Sequence, residues 1–209
     1  KRNDFSGNGY LLEWSESIEI MNKPFQSLYL ELLKKTLIDF SKINSYEYHP
    51  LTIVNPNWKT FALFPLDKLL RTRNFAICKL KYVSEEKRLN GYDWPANADT
   101  MIGLNRLNNI ESCIHSIIND NIQGDFIETG VWRGGATIFM RAVLKELNIT
   151  DRRIWVADSF KGLPKPDHAK YKVDNGNKLH TIKIFSVSLE EVKNNFKKYG
   201  LLDVQVVFL

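Results

Sequence analysis

The sequence predicts an α/β protein built on a parallel, Rossmann-like sheet, and three stretches predict it. Gly124 to Gly135 reads G-D-F-I-E-T-G-V-W-R-G-G. A short apolar run, Phe126 and Ile127, ends in Glu128; Gly130, Gly134 and Gly135 then precede a stretch of helical spacing. That is a strand, a tight turn and a helix start. Arg153 to Ala157 (R-I-W-V-A) is a second apolar run, ending in Asp158, and Val204 to Leu209 is a third. Strands alternating with helices make right-handed βαβ units and a parallel sheet. Such a sheet builds its ligand site outside the carboxyl ends of its strands.

The elements follow in order. Residues 1–23 are polar, with Gly7 and Gly9, and read as a lead-in. Pro24 suits the first turn of a helix from Phe25 to Phe40, whose Leu28, Leu32, Leu33 and Leu37 keep helical spacing. Between 41 and 90, Leu51 to Val54 and Phe61 to Phe64 read as short strands, and Phe75 to Val83 as a strand or helix. His49, beside Pro50, reads as a loop residue. Gly91 to Gly103 is a loop whose Tyr92, Trp94, Met101 and Ile102 either anchor it or cover a ligand. Leu104, Leu107, Ile110, Cys113, Ile114, Ile117 and Ile118 form one helical stripe, with His115 off it in solvent and Gly124 closing the helix. Ala136, Met140, Val143 and Leu144 give the helical face after the glycine turn. Lys161 to Lys178 is a polar loop long enough to act as a lid, and Leu179 to Phe185 is a short strand or loop. Ser188 and Glu191 form a capping box for a helix stopped by Gly200.

Composition bounds the function. With 44% hydrophobic and 25% charged residues the chain is an ordinary globular protein. The net charge of +5 rests on scattered Lys and Arg, with short clusters such as Lys34–Lys35 and Lys197–Lys198. These read as solvated helix faces rather than a nucleic-acid surface. Cys78 and Cys113 lack the spacing of a zinc site or disulfide framework. Two free thiols suit a reducing cytoplasm. No apolar run is long enough to span a membrane.

Glu128 and Asp158 stand thirty positions apart at the ends of two strands, so both carboxylates can face one crevice. An acid after the second strand is placed to accept hydrogen bonds from ribose hydroxyls. Dinucleotide sites use G-x-G-x-x-G, so that backbone N–H groups meet a pyrophosphate. Here Val131, Trp132 and Arg133 fill the space between Gly130 and Gly134. Glu128 ahead of the turn would repel a pyrophosphate and suit a cationic amine. These residues favour S-adenosylmethionine over a nicotinamide dinucleotide, with a plain tight turn as the alternative that needs no ligand.

Four segments carry a family resemblance: Asp93 to Gly103 (D-W-P-A-N-A-D-T-M-I-G), Asp125 to Leu144, Trp155 to Pro164 (W-V-A-D-S-F-K-G-L-P) and Val187 to Val192. From about Glu85 onward the chain resembles the macrocin O-methyltransferase (TylF-like) family. The resemblance implies a class I methyltransferase fold, S-adenosylmethionine as donor, a sugar hydroxyl as acceptor and a divalent metal, usually magnesium. It implies that Glu128, Thr129, Gly130, Val131, Trp132 and Gly134 hold the methionine end, with Arg133 inside the same run. Asp158 would hold the ribose, with Ser159 and Phe160 beside the adenosine. Thr100 and Met101 would close over the cofactor, and Ser188 would lie near the adenine or serve only as a helix cap. The expected division is an extension over 1–99 and the N-terminal half of the cofactor domain over 100–209. The family's metal-binding acids and catalytic base would fall after Leu209, so the chain reads as truncated. The expected partner is a small-molecule glycoside, with no nucleic acid or membrane and a homo-oligomer left open. A nicotinamide-dependent oxidoreductase and a non-catalytic scaffold are the competing readings.

Overall fold

The computed structural model describes residues 27–51, 58–167 and 169–209. Helix α1 (Leu28–Leu37) starts at Ser27, whose hydroxyl accepts the Leu30 N–H. The lead-in and Pro24 lie outside the described residues. Two strands, β1 (Tyr46–Pro50) and β2 (Cys78–Tyr82), pair antiparallel. Between them lie α2 (Trp58–Phe61) and α3 (Phe64–Arg71), and α4 (Glu85–Asn90) follows. Helix α5 (Gly103–Asn119) leads into β3 (Phe126–Thr129), α6 (Gly135–Glu146), β4 (Ile154–Ala157), α7 (Leu189–Lys198) and β5 (Val206–Phe208).

Strands β3, β4 and β5 form a parallel sheet in that order, with Glu128 opposite Val156 and Thr129 opposite Ala157. Each crossover passes through a helix, as the βαβ reading requires. The core sits around α6, where Ile138, Phe139, Ala142, Val143 and Leu144 are fully buried. Leu30, Leu33 and Leu37 of α1, Leu107 and Ile114 of α5, and Val192 and Phe196 of α7 join the same cluster. Burial of such side chains stabilises by about 1.5–3 kcal/mol each. Lys34 is also fully buried, and its ammonium is held by Asn108 Oδ1 at 2.7 Å, Glu111 Oε2 at 2.8 Å and Glu31. A buried ammonium is tolerable only with partners of this kind.

The N-terminal region departs most from the expectations. Phe61 to Phe64 is not a strand: Phe61 ends α2, a turn follows, and Phe64 starts α3, where Pro65 stands in the first turn and its fixed φ favours a helix. Of the expected strand Leu51 to Val54, residues 52–54 lie outside the described residues. The strand that does form, β1, turns Tyr46 and Tyr48 outward and Glu47 inward. That inverts the usual alternation and hides it from a hydrophobicity reading. His49 is therefore a strand residue, 3.0 Å from Glu47. Helix α4 buries Arg88, whose Nη2 meets Glu47 at 2.6 Å and whose Nε donates to Asp93 at 2.8 Å. A helix whose buried contact is an arginine leaves no apolar stripe to find.

Smaller corrections follow the same logic. Helix α5 ends at Asn119, before Gly124, in a turn where Asn121 takes φ +52°. Asn tolerates this left-handed conformation, so no glycine is needed there. Cys113 is exposed, outside the buried stripe, and His115 is half-buried, not solvated. Leu179 to Phe185 forms two short 3-10 turns instead of a strand.

Candidate functional site

The site is built at the carboxyl end of β3. The Gly130 N–H donates to Ala157 O at 2.8 Å, which ends the ladder and turns the chain out of the sheet. Gly130 and Gly134 take φ +82° and +84°, a region costly to side-chain-bearing residues. Trp132 takes φ +51° without being glycine, a strain that persists only where the surroundings fix it. They do: its indole Nε1–H donates to Ile184 O at 2.6 Å. Helix α6 then starts at Gly135, whose N–H donates to Asp99 O at 2.9 Å. A Cβ at Gly135 would lie 2.4 Å from that same oxygen, so the 91–102 loop and the glycine turn touch backbone to backbone.

Asp158, one residue past β4, holds the turn from the other side. Its Oδ2 accepts the Val131 N–H and its Oδ1 the Phe160 N–H, both at 2.8 Å. A carboxylate has about four acceptor positions; Oδ1 is also approached by the Ser159 hydroxyl at 3.5 Å, and Oδ2, with one partner, keeps a position open. Glu128 lies at the end of β3 with Oε2 buried and without a partner. Burial pushes its carboxyl up to about 7; the Thr137 backbone favours the charged form, and the Asp158 charge opposes it. A buried carboxyl oxygen without a protein partner is uncommon, and carboxyls perturbed in this way cluster at functional sites.

Beside Asp158 and the glycine turn lies a cavity of about 360 Å³ lined by Met101, Gly130, Trp132, Asp158 and Ser159 and closed by Gly162, Leu163, Pro164 and Phe185; Glu128 is not among its lining residues. That volume falls within the range of small-molecule and cofactor sites. Five of the expected residues thus share one wall. The others are placed differently. Val131 buries its side chain in the core and offers the turn its N–H. Thr100 is buried, its hydroxyl accepting the Ile102 N–H. Thr129 is exposed, and Phe160 packs half-buried 6.4 Å from the Phe208 ring. The Ser188 hydroxyl caps α7 by accepting the Glu191 N–H at 3.2 Å.

Sequence reading missed the residues that hold the covering loop. Arg133 Nη1 donates to the Ala96 and Ala98 carbonyls, both at 2.8 Å, so the guanidinium bridges the glycine turn to the loop. Asp99, nearly fully buried, accepts from Lys198 Nζ at 2.6 Å and from the Tyr199 hydroxyl. Burial, and then the bond to Asp99, pushes the Tyr199 phenol well above its ordinary value. Trp94 meets Phe185 edge-on at 5.0 Å, joining the loop to the far wall of the cavity. The charged residues in G-V-W-R-G-G and N-A-D-T were the available signal, but only the fold brings them together. Among the described residues, no group of three His, Cys, Asp or Glu is arranged to hold a metal ion.

The model of one family, described as "Macrocin-O-methyltransferase (TylF)", matches residues 26–209. The chain belongs to the macrocin-O-methyltransferase family. Relatives of this family include the demethyldecarbamoylnovobiocin O-methyltransferase of Streptomyces niveus, 52% identical over 126 residues. That match covers 60% of this chain and 48% of the relative. The mycinamicin III 3''-O-methyltransferase of Micromonospora griseorubida is 48% identical over 128 residues, covering 60% and 50%. The solved structure of the O-methyltransferase NovP superposes with a TM-score of 0.66 at 40% identity, covering 88% of this chain and 63% of NovP. The chain spans about half the length of the curated relatives it matches. The Rossmann-like fold expected from the sequence stands with these likenesses and with the parallel sheet.

Proposed function

We propose that this chain supplies the donor site of an S-adenosylmethionine-dependent O-methyltransferase that methylates a sugar hydroxyl of a glycoside. One observation carries the reading: Asp158 ties down the glycine turn through the Val131 N–H and shares one cavity wall with Gly130 and Trp132, while Glu128, its buried Oε2 without a partner, ends the strand that leads into that turn. Glu128 meets the ammonium of the methionine moiety. The open acceptor position of Asp158 takes a ribose hydroxyl. Ser159 and Phe160 lie beside the adenosine, and Thr100 and Met101 close over it. Ser188 acts through its cap, which fixes the start of α7. When bound, the donor supplies an electrophilic methyl group on a sulfonium sulfur. The protein's task is to hold that carbon in line with the acceptor oxygen and to keep water out.

The family relationship supports the reaction, and the relatives named for novobiocin and mycinamicin intermediates support a glycosylated natural product or glycan as acceptor. Magnesium is an expectation from the family. Among the described residues no group of three His, Cys, Asp or Glu is placed to hold it. A cytoplasmic location fits the free thiols Cys78 and Cys113. No described helix is long and apolar enough to cross a membrane. The division at residue 99/100 and a homo-oligomer belong to the same proposal.

The test is methyl transfer by the full-length protein from isotopically labelled S-adenosylmethionine to sugar-bearing acceptors. Label in the acceptor's methoxy group is the expected result. Donor binding without turnover on any acceptor would favour a scaffold, and binding of NAD instead would favour an oxidoreductase.

A further inference from the structure

The polar loop that the sequence marks as a lid, Lys161 to Lys178, holds an Asn-Gly pair near its end, Asn175 and Gly176. A second such pair is Asn90 and Gly91; a third, Asn8 and Gly9, lies outside the described residues. Asn followed by Gly is a reactive pair. Glycine has no side chain to shield its backbone nitrogen, and that nitrogen can reach the Asn side-chain carbonyl carbon to close a five-membered ring. By sequence the pairs are equivalent, and the fold separates the two described ones.

At Asn90 the reacting groups are engaged. Asn90 ends α4; its Nδ2 donates to Glu86 O at 2.9 Å and its Oδ1 accepts from Asn105 Nδ2 at 2.8 Å. The Gly91 N–H donates to Arg88 O at 3.4 Å, and a Cβ at Gly91 would meet the Ile102 carbonyl at 2.5 Å, so this backbone has no room to turn. At Asn175 the same groups are free. The residue is exposed and, among the described residues, neither its amide nor the Gly176 N–H has a hydrogen-bond partner. Beyond its chain neighbours, nothing lies within 4 Å of a Cβ built at Gly176, which takes φ +82°. Ring closure needs rotation about the Asn175 Cα–C bond from its ψ of 125°. A hydrogen bond from Asn177 N–H to Asp174 O, at 3.0 Å, ties the turn across that rotation. An exposed tip of small polar residues tied in this way opens far more readily than a helix end packed against backbone.

We propose that Asn175 is a site of spontaneous modification, cyclising onto Gly176 and opening to aspartate and isoaspartate, while Asn90 stays intact. The Gly176 nitrogen, having lost its proton to hydroxide, attacks Asn175 Cγ. An N–Cγ bond forms, the Cγ–Nδ2 bond breaks, and the amide nitrogen takes a proton from water and leaves as ammonia. Water then opens the ring. Attack at Cγ gives aspartate; attack at the main-chain carbonyl gives isoaspartate, whose backbone runs through Cβ and Cγ. Either product puts a new carboxylate between Asp174 and Asn177, which line a cavity of about 330 Å³. That cavity shares Leu163 and Pro164 with the donor cavity, so the altered turn lies in the wall beside the donor site.

The test keeps the full-length protein at pH 8 and at pH 6 for several days and maps it by tandem mass spectrometry, with electron-transfer fragmentation to separate isoaspartate from aspartate. Conversion at Asn175 is expected to outpace that at Asn90 at least about tenfold, because only Asn90 must first give up two side-chain hydrogen bonds. It should be several-fold slower at pH 6, where hydroxide is scarcer. Ion exchange should resolve a more acidic species, which Asn175→Gln abolishes because glutamine closes only a slower six-membered ring. In urea the two pairs should convert at similar rates. The proposal is overturned if Asn175 stays intact at pH 8, or converts no faster than Asn90. It is overturned as well if Asn175 keeps its lead in urea, which would make local sequence and not the fold the cause.

Discussion

Replacing Glu128 by Gln should stabilise the ligand-free protein and weaken donor binding, and both effects should depend on pH. The Glu128 carboxyl stands at about 7 against an ordinary 4.5, and burial is the main cause. The sign follows from which state binds the proton more tightly. The folded state holds it up to about pH 7, whereas the unfolded chain releases it near 4.5. Glu128 therefore costs nothing below pH 4.5, and its penalty grows as pH rises and is complete above about 7. A shift of this size is worth about 3 kcal/mol at 1.36 kcal/mol per unit, an upper figure because local water relaxes it. Glu128→Gln should then raise the urea midpoint at pH 8 and leave it nearly unchanged at pH 4.5. Donor binding runs the other way. A ligand ammonium needs the ionised carboxylate, so wild-type affinity for S-adenosylhomocysteine should be flat above pH 7 and fall up to tenfold per unit below it. The pH dependence should vanish in Glu128→Gln, whose affinity should be lower at pH 8. Calorimetry in two buffers of different ionisation enthalpy should also detect proton release near pH 7. An affinity independent of pH between 5.5 and 8 in the wild type would refute the assignment of Glu128 to the ammonium.

Three further substitutions probe the frame around it. Asp158→Ala removes acceptors from the Val131 and Phe160 N–H groups. It should weaken S-adenosylhomocysteine binding by about 1–3 kcal/mol, read by calorimetry; unchanged affinity would remove Asp158 from the site. Gly135→Ala drives a methyl group to within 2.4 Å of Asp99 O. It should destabilise by about 1–3 kcal/mol, visible as a lower urea midpoint with unchanged slope. Tyr199→Phe deletes the hydroxyl that bonds buried Asp99 and should cost about 1–2 kcal/mol. Hydrogen exchange should show faster opening of residues 93–102, and an unaltered exchange rate would mean that the Tyr199 hydroxyl does not hold the loop.

The parallel sheet was legible because its strands are apolar runs ending in acids. Phe126–Thr129, Ile154–Ala157 and Val206–Phe208 all lie within the stretches that the pattern marks. The pocket wall of Gly130, Trp132, Asp158 and Ser159 was legible for the same reason, since strand ends and glycine turns are local features. What stayed hidden is held by polar burial. Strand β1 points Glu47 inward, α4 buries Arg88, and Asp99 meets Tyr199 across 100 positions. No periodicity of hydrophobic residues marks an element whose core contact is an ion pair.

The central claim is that the Glu128–Gly134 turn and Asp158 form a donor site for a methionine-bearing nucleoside. Parallel calorimetric titrations of the full-length protein with S-adenosylhomocysteine and with NAD test it most directly. Stoichiometric binding of S-adenosylhomocysteine, weakened by Asp158→Ala, with no heat from NAD, is the predicted result. Tight binding of NAD with none of S-adenosylhomocysteine would contradict it.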